Sequence, residues 1–261
     1  MANCLLGWPN RFTYALLTAS ASEVVLPVTF LADDQGSADQ AWQAPGTAAW
    51  ARLALPAGDT FRVFGLHRTN LTSSATVRWR LWGGTDTTAA PVYDSGAAAA
   101  GVVPGYGQTV RVLPAPLTGQ TVQCDISDPT NPDGFLNIAQ AYAGPAWQPF
   151  RNIDFASSNG RVSQSARTVT RAGGVILRSD WLKRVYDLTL AGVRDAEVWP
   201  LLMDLDRYAR RGNNILFVPD PLAVTLNYES LFGELETQGN VTWPYKTPDA
   251  RGWRALITER L

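Results

Sequence analysis

The chain changes character within one stretch, residues 137–155, which reads NIAQAYAGPAWQPFRNIDF. The stretch begins with the alternation of a β-strand. It then passes through Gly144-Pro145 and Trp147-Gln148-Pro149, where glycine and proline interrupt regular structure. Short strand patterns precede this stretch, and strands mixed with one helix follow it. The break therefore predicts two domains, residues 1–148 and residues 149–261.

The composition limits the classes of protein to which the chain can belong. A chain of 261 residues, 46% of them hydrophobic, can bury a sizeable core. Its 22 basic and 23 acidic residues offer no basic excess for nucleic acid and no single-sign field for a membrane surface. No run approaches the ~20 apolar residues of a membrane span, so we expect no membrane insertion. Only 17% of the residues are charged, against a usual ~25%, which is typical of a β-rich protein that shares large surfaces with partners and also of a compact β protein with a big core.

The two cysteines, Cys4 and Cys124, form neither a disulfide framework nor a metal-binding motif. Cys124 shares a strand face with Val122 and Ile126, which predicts a small buried hydrophobic residue. The opening MANCLLGWPNRF lacks the basic and apolar regions of a signal peptide. We therefore expect a protein that is made and used without secretion through a cleaved signal.

Residues 1–148 predict an all-β domain. In residues 76–82, Val77, Trp79 and Leu81 fall on one face and two arginines on the other, as in a half-buried antiparallel strand. Turn-forming residues such as Pro56–Asp59 separate the strand patterns. Seven or eight short strands indicate a β-sandwich or jelly roll. The other predicted strands are residues 24–31, 50–55, 61–66, 108–113, 121–126 and 135–142.

Residues 149–261 predict a small α+β unit, a sheet or barrel with one packed helix. Apolar residues recur at helical spacing from Val198 to Ala209. Pro200 is placed in the first turn, because deeper in the helix it would remove a hydrogen bond and clash. Gly212 is a natural residue to end the helix. Strand patterns flank the helix at residues 162, 174–177, 185–190, 215–218, 230–236 and 253–259.

No catalytic motif stands out. The one histidine, His67, lies at the end of a predicted strand, and no G-x-S-x-G nucleophile motif accompanies it, so a turn residue is favoured over a catalytic triad. Asp204 and Asp206 lie two residues apart on the helix and face different directions, whereas glycan cleavage needs two carboxyls roughly 5–10 Å apart. The loop that carries Asp33, Asp34 and Asp39 contains oxygen ligands for Ca²⁺, but their spacing differs from that of an EF-hand and favours a solvated loop. We expect no catalytic residue, no cofactor and no metal, and a protein that is not an enzyme.

Two tryptophans are candidates for contact with a host surface glycan, because aromatic faces stack on sugar rings. Trp42 lies in a predicted loop and Trp82 on the polar face of its strand. Most of the other tryptophans are more simply interpreted as core or interface anchors. These two residues support an alternative function for the chain, a carbohydrate-binding module or adhesin.

Four segments carry a resemblance to tail-associated structural proteins of long-tailed bacteriophages, such as distal-tail or baseplate proteins. The C-terminal half contributes AYAGPAWQPFRNIDF, AEVWPLLMDLDRYARRGNNILFVPDP and ESLFGELE, and the N-terminal half contributes GLHRTNLTSSATVRWRLWGG. The resemblance implies a non-enzymatic virion protein, made in the cytoplasm of the bacterial host, whose C-terminal unit joins rings at the end of the tail. Its implied partners are other tail or baseplate proteins and further copies of itself, and host attachment through a surface glycan belongs to the same expectation.

The polar face of the helix supplies candidate contacts for such an assembly. Arg207 and Arg210 project from that face, and Arg211 follows at the end of the helix. We therefore expect these three arginines to contribute to subunit contacts.

Overall fold

Two antiparallel sheets contain most of the regular structure in this computed structural model, which describes residues 2–33, 36–103, 105–169, 171, 173–242 and 250–260. A helical segment of about four turns packs on the second sheet. The expected fold class, mainly β with a β-sandwich followed by a smaller α+β unit, is confirmed.

The first sheet contains eight strands, all within residues 16–144. Their order across the sheet is β3-β9-β4-β8-β5-β6, with β2 beside β4 and β7 beside β5. The strands are β2 (Leu16–Ala19), β3 (Trp42–Pro45), β4 (Ala48–Thr69), β5 (Thr76–Trp82), β6 (Tyr93–Asp94), β7 (Ala98–Ala99), β8 (Thr109–Ser127) and β9 (Phe135–Gly144).

Strands β4 and β8 are much longer than the sequence predicts. The predicted strands 50–55 and 61–66 are one strand, because the expected turn Pro56–Asp59 only shifts the pairing with β8 and does not reverse the chain. An extra stretch of this kind bends a strand without ending it. The predictions 108–113 and 121–126 merge into β8 in the same way. The predicted strand 24–31 is wrong: Pro27 precedes a 3₁₀ turn at Val28–Ala32.

The alternation of β5 is confirmed, since Val77, Trp79 and Leu81 are buried in the core of the first sheet. The ring of Phe64 stacks on that of Trp79 with centroids 5.0 Å apart. Cys124 is buried in the same core, as its strand face predicts.

The second sheet contains seven strands in the order β10-β1-β13-β14-β15-β12-β11. Its strands are β1 (Leu5–Gly7), β10 (Ala146–Trp147), β11 (Ser158–Val169), β12 (Val175–Val193), β13 (Asn214–Val218), β14 (Leu231–Thr237) and β15 (Arg251–Glu259). The helical segment consists of α1 (Asp195–Glu197), a π-helical turn (Val198–Leu202) and α2 (Met203–Ala209), and a short α3 (Leu226–Glu229) precedes β14.

Pro200 lies inside the helical segment and not in its first turn, so its predicted placement is wrong. The π-helical turn accommodates it: the backbone N–H of Met203 donates to the carbonyl oxygen of Val198, five residues earlier. A π turn is wider than an α turn, which gives room to the proline ring that would otherwise clash with the preceding turn. Leu202 and Leu205 then reach the core beneath the second sheet.

The two sheets share an apolar interface. Leu5, Leu216 and Phe232 of the second sheet pack on Val63 and Tyr142 of the first. The N-terminal β1 pairs with β13 and β10, although the sequence places residues 5–7 in the first domain. The division at residue 148 stays a prediction, and β1 and β10, which both lie before that residue, belong to the second sheet.

Strands β11 and β12 extend beyond the rest of the second sheet. Strand β12 pairs with β15 only from Val185 onward, whereas its pairing with β11 continues to Val175. Residues 161–169 and 175–184 therefore form a two-stranded antiparallel hairpin arm, here called the ribbon. At ~3.3 Å per residue the ribbon is about 30 Å long.

Candidate functional site

The surface of the ribbon exposes several aliphatic side chains among its charged residues. Val162 is 49% exposed, Ile176 58% and Leu182 52%, and Val169 and Val175 near its tip are also exposed. Strand β11 ends the strand order of the second sheet, so no described strand pairs with its outer edge. The outer edge of β12 is likewise unpaired by any described strand over residues 175–184.

Polar contacts join the two strands of the ribbon to each other and its base to the loop that precedes β8. Trp181 Nε1 donates to Gln164 Oε1 at 2.9 Å, and the Lys183 ammonium lies 5.2 Å from the Trp181 ring centroid. Arg161 Nη2 donates to the Tyr106 hydroxyl at 2.7 Å. The ribbon is therefore tied at its base to the loop that precedes β8, while its outer part presents exposed aliphatic side chains and edges that no described strand pairs.

The three arginines predicted to make assembly contacts are all exposed, on and just after α2. Arg210 Nε donates to Asp206 Oδ2 at 2.8 Å, and this carboxylate raises the pKa of Arg210. Arg207 and Arg211 line a recess of about 360 Å³ together with Trp8. Their predicted exposure is confirmed, and their role in assembly stays a prediction.

The two tryptophans predicted to contact glycan are buried, so their expected exposure is wrong. Trp42 lies in β3 and not in a loop, and its Nε1 donates to the carbonyl oxygen of Ala21 at 3.1 Å. Trp82 is on the polar face of β5 as predicted, but its Nε1 donates to the carbonyl oxygen of Ala89 at 2.9 Å and the guanidinium of Arg80 lies 5.1 Å from its ring centroid. A ring without an open face cannot stack on a sugar.

His67 is a buried residue of β4 and not a turn residue. Its ring stacks on Phe232 with centroids 5.0 Å apart, and Nδ1 lies 3.4 Å from Gln108 Oε1. Burial lowers the pKa of His67 to about 3, with the nearby Arg184 charge acting in the same direction. A neutral imidazole enclosed in this way serves packing between the two sheets.

The carboxylates considered for chemistry have structural partners. Asp204 Oδ2 accepts a hydrogen bond from Trp8 Nε1 at 3.1 Å, and Asp206 pairs with Arg210. Within the described residues no three or more His, Cys, Asp or Glu side chains are grouped to hold a metal ion. Asp34, one of the candidate Ca²⁺ ligands, lies outside the described residues. No helix among those described has the length and apolar character to cross a membrane.

A second surface feature is a recess of about 790 Å³ at one end of the first sheet. Its walls are residues 68–73, which span the end of β4, residues 105–107 before β8, and Asp133, Phe135 and Asn137 around the start of β9. The side chain of Asn70 ties two walls together, donating to Asp133 Oδ2 at 2.8 Å and to the carbonyl oxygen of Phe135 at 2.9 Å. The recess is therefore built from loops that are hydrogen-bonded to one another.

Gly107 fixes the position of the wall that residues 105–107 form. The backbone N–H of Thr69 donates to the carbonyl oxygen of Gly107 at 2.9 Å. Gly107 has φ +56°, and a Cβ there would lie 2.0 Å from the carbonyl oxygen of Thr69. Only glycine fits this close approach, which holds residues 105–107 against the end of β4.

The backbone of Arg68, which also lines the recess, has a left-handed conformation that is unusual for arginine. Arg68 is the one non-glycine residue with positive φ among those described, at +54°. Sequence reasoning missed Arg68, because arginine carries no signal for a left-handed backbone and its neighbours form an ordinary strand pattern. It also missed the ribbon as a surface, because strand patterns do not tell whether a third strand covers them.

No protein-family model matches the chain, and no curated protein matches it. Several solved structures resemble about half of it. The lectin-binding domain of lectinolysin, solved with Lewis b, has a TM-score of 0.41 at 11% identity and covers 53% of this chain and 96% of its own. A fucose-binding module of Streptococcus pneumoniae, SpX-3, has a TM-score of 0.40 at 11% identity over 53% and 98%.

A chitosan-binding module from Paenibacillus sp. IK-5 has a TM-score of 0.40 at 16% identity, and covers 53% of this chain and all of its own. Likenesses of this size concern the course of the backbone over half the chain. We assign no ligand to the chain from them.

Proposed function

We propose that this protein is a non-enzymatic structural subunit that assembles with copies of itself and with other proteins in the tail tip or baseplate of a bacteriophage. The observation that carries the proposal is the ribbon, a two-stranded arm that exposes five aliphatic side chains and whose two outer edges are paired by no described strand. The sequence resemblance supplies the tail as the place of assembly.

The energetics of the ribbon support a partner. An isolated two-stranded hairpin is at best marginally stable in water, and it usually needs a third strand or a packed face. Burying a whole aliphatic side chain stabilises by roughly 1.5–3 kcal/mol, so covering the exposed halves of five such side chains stabilises by roughly 5 kcal/mol. Cover of this size is what subunits of an assembly supply to one another.

The free edges support a head-to-tail arrangement. The outer edge of β11 and the outer edge of β12 lie on opposite sides of the ribbon. A neighbouring copy can add a strand at either edge through backbone hydrogen bonds, which is a known mode of recognition. Two different edges give a heterologous contact, and contacts of that type form rings when the rotation closes.

The test is the oligomeric state of a ribbon variant. We expect light scattering of the purified protein to show assemblies that Val162→Ser/Ile176→Ser abolishes, because both side chains are exposed in the subunit and buried only between subunits. The control is Leu222→Ser/Val224→Ser, which removes two other exposed apolar side chains and should leave assembly intact. Equal assembly of both double variants would contradict the role of the ribbon.

The tail assignment needs its own experiment. Immunogold electron microscopy on particles induced from the source strain should place label at the tail tip. Absence of label from every particle would remove the virion interpretation and leave an assembly protein of another kind.

A second candidate function is carbohydrate binding without catalysis. The observation that favours it is the 790 Å³ recess of the first sheet, whose volume lies within the range of small-molecule sites, roughly 300–1,000 Å³. A glycan array with the purified protein tests this function, and binding to no glycan at all would contradict it.

A further inference from the structure

We propose that Arg68, Asp133 and Phe135 form a binding site for a neutral saccharide residue in the recess at the end of the first sheet. The proposal rests on the second candidate function and names its site and its class of ligand. None of the three residues belongs to the ribbon or to the group of exposed arginines on and just after α2.

Arg68 is the first element of the site. A left-handed backbone is sterically unfavourable for a non-glycine residue, and residues that adopt it cluster at ligand sites. Arg68 makes no hydrogen bond or ion pair within the described structure, although it is only partly exposed and lines the recess. The strained backbone thus carries a guanidinium whose five N–H donors are free.

Asp133 is the second element. Its Oδ2 accepts the hydrogen bond from Asn70, and its Oδ1 has no hydrogen-bond partner among the described residues. Arg68 and Asp133 line the same recess without forming an ion pair. A free donor and a free acceptor therefore remain on the walls of one open space.

The charges point to a neutral polyhydroxylated ligand. Arg68 and Asp133 cancel in net charge, whereas a phosphate or nucleotide site would present an excess of donors and positive charge. A sugar hydroxyl both donates and accepts a hydrogen bond, so two neighbouring hydroxyls can satisfy the guanidinium and the carboxylate together.

The aromatic side chains indicate how the apolar face of a sugar would be held. Two aromatic residues line the recess, Tyr106 and Phe135. One face of the Tyr106 ring is covered by the guanidinium of Arg184, 4.2 Å from the ring centroid, and its hydroxyl is bonded to Arg161. Phe135 is half-buried, and its ring stacks on no other ring or cation among the described residues, so it supplies the apolar contact.

The experiment is a titration of the isotope-labelled full chain with methyl glycosides of galactose, glucose, mannose and fucose, followed by NMR. For a site with a Kd of about 1 mM, amide shifts should saturate below about 50 mM and concentrate on residues 68–73 and 133–137. Arg68→Gly should weaken binding about 10- to 100-fold, because it removes a charged hydrogen-bond donor. Arg68→Gly also relieves the positive φ, so its melting temperature should equal or exceed that of the wild type.

Two further variants keep the test decisive. Asp133→Asn should weaken binding by a similar factor while its amide side chain can still accept from Asn70. Arg207→Ala removes the same charge from α2, outside the recess, and should bind like the wild type. Inorganic phosphate should cause no shifts in the recess.

Each other result has a defined meaning. Glycoside binding unchanged in both Arg68→Gly and Asp133→Asn would overturn this site and leave carbohydrate binding elsewhere on the chain. No binding of any glycoside or array glycan to the wild type would overturn both the site and the second candidate function. Tighter binding of phosphate than of glycosides would overturn the neutral ligand.

Discussion

The substitution Arg184→Ala should be among the most destabilising that a single polar residue of this chain allows. Arg184 is buried in β12, and its Nη2 lies 2.6 Å from Oε1 of Glu259 on the adjacent strand β15. The same guanidinium donates to Gln108 Oε1 at 2.9 Å and to the carbonyl oxygens of Tyr228 and Ser230 at 2.9 and 3.0 Å. It thereby connects the second sheet to the loop that precedes β8.

The expected magnitude follows from what the alanine leaves behind. Removing one partner of a buried ion pair costs about 3–5 kcal/mol, because the remaining charge stays buried and uncompensated. Here that charge is Glu259, which is 6% exposed. Since domains are stable by roughly 5–15 kcal/mol in total, the loss is a large share of the free energy of unfolding.

Urea unfolding followed by tryptophan fluorescence measures the effect. The control is Arg254→Ala, which removes the exposed pair of Arg254 with Asp187 between β15 and β12 and should change the free energy of unfolding far less, because solvent screens this pair. If Arg184→Ala destabilises the chain no more than Arg254→Ala does, the network is not a structural connection between the sheets and this reasoning is refuted. The double variant Arg184→Met/Glu259→Leu should recover much of the loss, since no unpaired charge then remains.

Three further predictions concern the packing of single residues. Gly107→Ala should lower the melting temperature clearly, because the added Cβ would overlap the backbone carbonyl oxygen of Thr69. The added Cβ of Gly105→Ala meets no atom within 4 Å, so this variant should cost only the strain of positive φ, about 1–2 kcal/mol. Equal effects of the two variants in thermal unfolding would contradict this prediction. Burial raises the pKa of Cys4 to about 12 and that of Cys124 well above its usual value, so a thiol reagent at pH 8 should label them only after unfolding, and rapid labelling of the folded chain would refute the burial. Burial lowers the pKa of His67 to about 3, so below about pH 6.5 the unfolded chain binds a proton that the folded chain does not bind. The contribution of the neutral His67 to stability is therefore complete above pH 6.5 and is lost as the pH falls towards 3. His67→Gln should flatten the pH dependence of the free energy of unfolding in that window.

The sequence predicts periodicity well, because a strand or helix face is a local property. The burial of Val77, Trp79 and Leu81 and the helix that ends before Gly212 follow directly from spacing. What covers a face is not local. Trp82 lies on the predicted polar face, yet the segment that follows β5 returns over it and accepts its indole N–H at Ala89.

The continuity of a strand is also decided by its neighbours. Pro56–Asp59 has the composition of a turn, but β8 pairs on both sides of it, and the chain stays extended through a shift in register. The left-handed backbone of Arg68 has no local cause either, since Val63–His67 before it and Thr69 after it pair with β9 in one unshifted register. Tertiary pairing sets both features, and a single sequence does not contain that information in readable form.

The ribbon and the recess meet at one residue, Tyr106. Its loop forms a wall of the recess, its hydroxyl accepts a hydrogen bond from Arg161 on β11, and its ring packs against Arg184 on β12. Tyr228 closes a third side of the ring, edge to face with centroids 5.5 Å apart. A neighbour that displaces the base of the ribbon therefore has to move a wall of the recess, and a ligand that fixes this wall has to restrain the base of the ribbon. Because such coupling is reciprocal, occupancy of the recess and assembly through the ribbon should change each other's affinity by the same factor.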